Sequence, residues 1–384
     1  MTNSLRSSEE NESAYRMCTR CVMDTSDPNI TFDEHGVCSH CRSYDRTARA
    51  VVEKAGSAER RRELEALVTR IKIKGKGRSY DCLIGISGGV DSTYVALQVK
   101  RLGLRPLAVH FDSGWNSELA VNNIENIVNR LDIHLQTFVV DWEEMADLQL
   151  AFFRASLANC DIPTDHAFFA VLYRAAAENG IKTIISGGNF ATESILPSAW
   201  GYHASDLRHL KAVHASFGTR PLRNYPMLSF WKRYFWYHFV RGIEVVKLLD
   251  FMPYNKAEAK ETIKKELGWR DYGGKHYESV FTRFFQAYYL PVKFGFDKRR
   301  AHLSSLIVSG QMTRQEALAE LQNPTAPQAL LLRDKEFIAK KLAISVDEFD
   351  ALIAAPPRSY KDWPSTEWLF ELKDKVKHLY RRAS

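Results

Sequence analysis

Between residues 80 and 186 the chain alternates short apolar runs with longer amphipathic stretches. The runs Tyr80–Ile86, Pro106–Phe111, Leu135–Val140 and Ile181–Ser186 have strand length. Between them, Ser92–Arg101, Glu118–Arg130, Glu144–Ala155 and His166–Asn179 carry apolar residues at helical spacing. Strands that alternate with helices in this way predict a parallel sheet covered by helices on its faces. Ahead of the series, Thr47–Lys72 is rich in Ala, Glu, Arg and Leu and predicts a connecting helix, ended by Lys74-Gly-Lys-Gly-Arg78. Residues 1–15 are rich in Ser, Asn and Glu and read as a disordered lead-in.

Beyond Thr192 the pattern turns helical and aromatic, densest at Phe230–Phe239. Such a run is expected to pack as core, or between domains, rather than to stack on bases. The expected division is a lead-in with a small cysteine module (1–45), a connecting helix and linker (46–78), the α/β domain (79–229) and a mainly helical substrate-binding region (230–384).

Composition narrows the class. A chain of 384 residues that is 45% apolar can build a sizeable core. No stretch reaches the roughly 18 uninterrupted apolar residues of a membrane span, and the polar first residues are unlike a signal peptide, so a cytoplasmic location is expected. A formal net charge of +7 favours anionic partners, whether nucleotides, sugar nucleotides, acidic sugars or RNA.

Four of the six cysteines form two Cys-x-x-Cys knuckles, Cys18/Cys21 and Cys38/Cys41, around an Asp-Glu-His-Gly turn. This is the ligand set of a structural Zn²⁺ ribbon, with an iron–sulfur cluster or a redox dithiol as the alternatives. Cys82 falls within a strand and is expected in the core. Cys160 precedes Asp161-Ile-Pro-Thr-Asp165-His166, and a buried thiol is favoured there over a catalytic one.

The first apolar run ends in Ser87-Gly88-Gly89-Val90-Asp91-Ser92, which opens the next helix. A strand-to-helix turn offers unpaired N–H groups and the positive end of the helix dipole to an anion. Gly88 and Gly89 let phosphate oxygens approach the backbone. Ser87 and Ser92 can donate hydroxyl bonds, and Asp91 can cap the helix or hold Mg²⁺. No Gly-Lys-Ser or Gly-Lys-Thr follows, which argues against γ-phosphate chemistry of the Walker type.

With His110-Phe-Asp-Ser-Gly114 after the second apolar run, this loop resembles the PP-loop ATP pyrophosphatases. The resemblance implies a five-stranded parallel sheet, ATP and Mg²⁺ at the switch point, and cleavage between the α and β phosphates. It implies catalytic roles for Ser87, Asp91 and Ser92, and an ATP site comprising Ile86, Ser87, Gly88, Gly89, Asp91, Ser92, Phe111, Asp112 and Ser113. Gly187, Gly188 and Asn189, in Ser186-Gly-Gly-Asn-Phe-Ala-Thr-Glu193, fall where that superfamily returns a second loop.

Residues 17 to about 310 also resemble the N-acetyl sugar amidotransferases of bacterial surface-polysaccharide and lipopolysaccharide synthesis. The likeness rests on Cys18–Thr25, the phosphate loop and Gly268-Trp-Arg-Asp-Tyr-Gly-Gly-Lys-His-Tyr-Glu-Ser279. It implies conversion of an acetamido group to an acetamidino group on a nucleotide-linked diacetamido uronic acid or a nonulosonic acid. Lys275, His276, Arg283, Lys293, Arg299 and Arg300 are the expected substrate anchors, guanidinium groups suiting carboxylates and phosphates.

No glutaminase signature is present, so a separate glutaminase, with a cyclase-like ammonia-channel subunit as a further partner, is expected, and the ribbon is a candidate docking surface for it. A nucleic-acid partner is not expected. The main alternative is a tRNA thiolation enzyme using the same activation, and a binding protein with an inactive nucleotide fold is a third.

Overall fold

The computed structural model describes residues 15–274 and 277–383. Five strands, β1 (Cys82–Gly85), β2 (Pro106–Asp112), β3 (His134–Val139), β4 (Thr183–Ser186) and β5 (Glu244–Lys247), form one sheet of order β3-β2-β1-β4-β5. Every pairing is parallel, with Leu83 opposite both Leu107 and Ile184, and Ile184 opposite Val245. Side chains alternate across the pleat. On one face Leu83, Leu107 and Ile184 meet α5 (Trp142–Arg154) and α6 (Ile162–Glu178). On the other, Cys82, Ile84 and Ala108 meet α2 (Ala58–Lys74) and α3 (Val90–Arg101). Burial on both faces explains why β1 and β4 read as continuous apolar runs.

The fifth strand escaped the periodicity. Only Val246 of its four residues is buried, because β5 lies at the sheet edge. It lies beyond residue 229, so the sheet extends into the region expected to be mainly helical.

The expected helix Thr47–Lys72 is two helices, α1 (Ser39–Val51) and α2. The break comes at Gly56, with φ +82°, and Ser57 accepts from Arg60 N at 3.1 Å to start α2. The lead-in falls on residues of which all but Tyr15 lie outside the described range.

The aromatic run is not core. Lys232–Val240 winds as a π-helical stretch in which only Tyr237 is buried, stacked on Tyr173 of α6 at 5.3 Å. Trp231 is 63% exposed and Phe239 71%, with Phe235 and Trp236 also outward. Phe230 and Tyr234 reach Phe370 of the helix Glu367–Ala383, and aromatic residues at nearly every position cannot all face the two helices they touch.

In the ribbon, the bridge Met17–Asp24 closes the first knuckle and the bridge Phe32–Cys38 closes a turn at Gly36, φ +77°, where the Asp33 carboxylate accepts from His35 N and Val37 N. The ribbon sits on the helices Lys298–Val308 and Arg314–Gln322. Arg314 donates to the carbonyls of Cys18 and Cys21, both at 3.1 Å, and Val22 N donates to Ser304 at 3.2 Å. This face is therefore closed by the chain's own helices. Among the described residues no helix is long and apolar enough to cross a membrane.

Candidate active site

The strand order reverses between β1 and β4, and the loops after these two strands meet at their carboxyl ends, where open α/β sheets bind ligands. Gly88 has φ +80°, and a Cβ there would stand 2.7 Å from the Tyr272 hydroxyl. A left-handed, crowded position of this kind admits only glycine comfortably. Gly89 is the N-cap of α3 with no side-chain bond of its own. Ser87 Oγ and Ser92 Oγ are 3.2 Å apart, Gly89 N donates to Ser87 Oγ at 3.3 Å, and Ser92 Oγ donates to the Gly89 carbonyl at 3.1 Å. The two hydroxyls therefore line one side of the first turn.

The second loop approaches closely. A Cβ on Gly187 would lie 3.2 Å from Ser92 N, so Gly187 permits the contact. Gly188 N donates to Ser186 Oγ at 3.1 Å, while Asn189 Oδ1 accepts from Thr192 N at 2.8 Å and caps the short turn Phe190–Glu193. Asn189 is thus committed through its carbonyl oxygen.

Asp91 does not cap its helix. Its carboxylate accepts from the Tyr254 hydroxyl and lies 3.5 Å from Lys256 Nζ. Burial and the neighbouring Asp91 charge hold the Tyr254 hydroxyl well above its usual range, so it stays a donor. Neither Tyr254 nor Lys256 carries a sequence signal linking it to a loop more than 160 residues earlier. After β2, Asp112 Oδ1 accepts from Gly114 N at 2.8 Å and from Asn116 at 3.1 Å. His110 lies 3.0 Å from the Ile86 carbonyl and 3.1 Å from Asn116, tying the ends of β1 and β2 together.

The segment after Gly268 reaches the same place. Trp269 Nε1 donates to the Gly88 carbonyl at 2.7 Å and the Tyr272 hydroxyl donates to the same oxygen at 3.0 Å. Asn123 fixes the segment by exchanging bonds with the backbone of Arg270 at 2.8 and 2.9 Å.

Three cavities meet at Glu193, which lines each of them. One, of about 590 Å³, runs from the phosphate loop past Lys256, Lys260 and Tyr272. A second, of about 950 Å³, joins Ile86, Ser87, Phe111 and Ser113 to Asp161, Thr282 and Lys298. The third, of about 880 Å³, is bordered by Lys247, Arg283, Arg299 and His302.

The expected substrate anchors scatter. Arg283 and Arg299 line the third cavity, yet Arg283 is held bidentately by Asp334, both bonds 2.7 Å, and Arg299 by Asp297 at 2.8 Å. Lys293 Nζ donates to the carbonyls of Leu352 and Ile353 at 2.8 and 3.0 Å, at the end of helix Val346–Ala354. Arg300 reaches the ribbon, with Asp24 and the Val22 carbonyl each at 3.0 Å. Neither Lys293 nor Arg300 borders these cavities. The four sit on three successive helices, Val280–Phe284, Leu290–Phe294 and Lys298–Val308, which carry them to different surroundings, and two of them serve packing. Lys275 and His276 lie outside the described residues.

The four ribbon sulfurs lie within 4.8 Å of one another, all buried, with Cys18–Cys41 at 3.9 Å and Cys21–Cys38 at 3.7 Å. A tetrahedron with zinc–sulfur bonds of about 2.3 Å has edges of about 3.8 Å, so the donor set fits zinc. The N–H groups of Cys21 and Cys38 point at Cys18 Sγ, at 3.4 and 3.3 Å, as expected around a thiolate. His40 pairs with Asp27 at 2.7 Å and stands apart from the sulfurs as a ligand. Cys82 and Cys160 are both buried. Burial, with the charge of Asp161 adding, holds the Cys160 thiol well above its usual range, the opposite of an activated nucleophile.

Residues 278–377 match the LPS biosynthesis protein WbpG-like, C-terminal domain. The matched stretch begins beside the cleft at Glu278 and takes in Arg283, Lys293, Arg299, Arg300 and the helices around them. An uncharacterized protein of Methanocaldococcus jannaschii is 22% identical over 279 residues, covering 70% of this chain and 82% of that protein. Among solved structures, the NH3-dependent NAD synthetase from Campylobacter jejuni is 14% identical, with a TM-score of 0.31 over 78% of this chain and 98% of that one. NMN synthetase from Francisella tularensis is likewise 14% identical, with a TM-score of 0.29 over 57% and 96%. Superpositions this loose carry no functional argument.

Proposed function

We propose that this protein is an ATP-dependent amidotransferase of bacterial surface-sugar synthesis. It turns an acetamido group of a nucleotide-linked diacetamido uronic acid or a nonulosonic acid into an acetamidino group. The observation that carries the reading is the pair of bonds from Trp269 and Tyr272 to the Gly88 carbonyl, which join the sugar-amidotransferase-like segment to the phosphate loop. The match of the following residues to a lipopolysaccharide-synthesis domain supports the same substrate class.

An amide oxygen is a poor leaving group, and ATP remedies this by supplying AMP to it. In this reading Ser87, Gly88, Gly89 and Ser92 hold the departing pyrophosphate, where donors fixed in advance lower the barrier most. Asp91 would hold the Mg²⁺ that polyphosphate requires, and its bond from Tyr254 and its pairing with Lys256 support that role by fixing the carboxylate. Ile86 and Phe111–Ser113 border the adenosine, and Gly187, Gly188 and Asn189 face the α-phosphate. Lys275, His276, Arg283 and Arg299 remain the proposed sugar contacts, and Lys293 and Arg300 act indirectly by holding the helices that carry them.

Nitrogen comes from a separate glutaminase, with a cyclase-like channel subunit as a further partner. The alternative of tRNA thiolation calls for a reactive cysteine, and the burial of Cys160 counts against it. The test incubates the protein with Mg-ATP, ammonium chloride and acetamido sugars, following AMP together with product mass. AMP release that requires sugar and ammonium, with one oxygen exchanged for NH in the product, is expected. AMP release that requires RNA and ignores sugar would overturn the reading.

A further inference from the structure

The π-helical stretch Lys232–Val240 is bonded from each residue to the one five before it, as in Arg241 N to the Trp236 carbonyl at 2.9 Å. Side chains four and five apart then lie above one another. Arg233 and Tyr237, four apart, both turn toward α6, with Arg233 4.5 Å over the Phe169 ring and Tyr237 stacked on Tyr173. Trp231, Phe235, Trp236, Phe239 and Val240 repeat the same spacing on the outward side, and all five are exposed. An α-helix would spread these five over about half its circumference. The wider winding gathers them into one stripe, an apolar patch that this chain does not cover.

The surroundings of the stripe are basic. From Leu207 to Ile243 the chain has seven Lys and Arg and no Asp or Glu. Lys232 and Arg241 are exposed beside the stripe. Lys182 Nζ donates to the Arg241 carbonyl at 2.6 Å, and burial, then the charges of Arg78, Arg241 and Lys74, hold Lys182 below its ordinary value. The acids on this side are committed, Glu178 to Arg174 at 3.9 Å and Glu244 to Lys74 at 3.1 Å. At the Trp231 end the helix Glu367–Ala383 brings Glu367, which accepts from Tyr360, Asp374, which pairs with Lys373 at 3.3 Å, and an exposed Glu371. The excess positive charge therefore lies toward Arg241.

Exposed rings beside uncovered cations match the boundary of an anionic bilayer, where rings enter the acyl edge and Lys and Arg meet lipid phosphates. Among the described residues the indole N–H groups of Trp231 and Trp236 have no protein acceptor, which suits rings at headgroup depth. A second copy laid on the same face would set Lys232 and Arg241 against like charges. We propose that the face from Trp231 to Arg241 docks the protein on an anionic lipid surface, the stripe entering the bilayer boundary and Lys232 and Arg241 lying on headgroup phosphates. Docking of this kind needs no membrane-spanning helix and does not depend on the amidotransferase reading.

Flotation of the full chain with phosphatidylglycerol vesicles and, separately, with phosphatidylcholine vesicles tests the proposal. Wild type is expected to float with the first, to be released by salt, and to stay behind with the second. Phe235→Ser combined with Phe239→Ser is expected to weaken binding about tenfold or more, because the area of two rings no longer leaves water. Lys232→Gln and Arg241→Gln should weaken it about fivefold for each charge removed. Brominated phosphatidylglycerol is expected to quench tryptophan emission in wild type and much less in Trp231→Phe combined with Trp236→Phe. Wild type that does not float with phosphatidylglycerol, or flotation that the Phe pair and the charge variants all retain, overturns the proposal. A wild-type dimer that the Phe pair disperses, without flotation, gives the face to a second copy and overturns it equally. If a variant does not fold, quenching of the wild type decides alone, and its absence overturns the proposal.

Discussion

In the ribbon, backbone N–H groups of Cys21 and Cys38 turn onto sulfur and Arg314 closes the carbonyls of Cys18 and Cys21. Arg300 covers Asp24, which is 2% exposed. Around the crevice the same kinds of atom are left facing space. Ser87 is exposed, and Ser87 and Ser92 border a cavity. A region whose polar atoms are satisfied internally contributes stability. One that holds polar atoms open trades stability for ligand binding. The difference separates a cysteine module closed by its own chain from a loop left open to a cavity, although both are short polar motifs with equally clear sequence signals.

Three measurements press on this contrast. The largest effect is expected from Cys41→Ser, which should abolish zinc binding by the quartet and cost about 4 kcal/mol or more, the range seen when a structural metal is lost. Metal analysis and thermal melting read both quantities. A variant that keeps its melting temperature would place the ribbon outside the frame.

Next, Asp91→Ala and Ser87→Ala are each expected to lower pyrophosphate release by about 10²–10³-fold, the usual cost of deleting a preorganised transition-state partner. Zinc content and melting temperature should stay near the wild-type values. Retained activity would show that the loop does not hold the phosphates.

The smallest effect is a pH dependence. His166 is buried, with Nδ1 2.7 Å from the Ala204 carbonyl and Nε2 accepting from Leu228 N at 3.0 Å, an arrangement that needs a neutral ring. Burial lowers it to about 4. Below the ordinary histidine range the unfolded chain binds a proton that the native state refuses. Stability present above about pH 6.5 is therefore lost as pH falls toward about 4. Over that window the melting temperature of wild type should fall with pH while that of His166→Asn stays flatter, so that the gap between them narrows, if the ring is responsible. Zinc measured at each pH separates this loss from acid release of the ribbon metal, which would lower both curves together.

Local sequence carried much of this. The strands β1, β2 and β4 and their helices follow from periodicity because each buries a continuous face. The Cys-x-x-Cys pairs and the glycines of the phosphate loop follow from spacing because their chemistry is completed within a few residues. Edge strand β5 lacked such a signal, since one buried valine leaves no period to read. The run Phe230–Phe239 misled for the opposite reason. Hydrophobicity reports a tendency to be covered, and only the fold decides whether a neighbour is present to do the covering.

The charged anchors show the same limit. Arg283, Lys293, Arg299 and Arg300 stand together in sequence, yet one holds a helix end, one holds the ribbon, and two reach a cavity already paired with aspartates. What the sequence by itself determined was the identity of the motifs, because backbone N–H groups, glycines and paired thiols act over short spans. Only the tertiary structure decided which polar atoms are consumed and which are left open. Tyr254 and Lys256 on Asp91, and Trp269 and Tyr272 on Gly88, depend on contacts between segments far apart in the chain, and burial sets the cost of leaving any one of them unpaired.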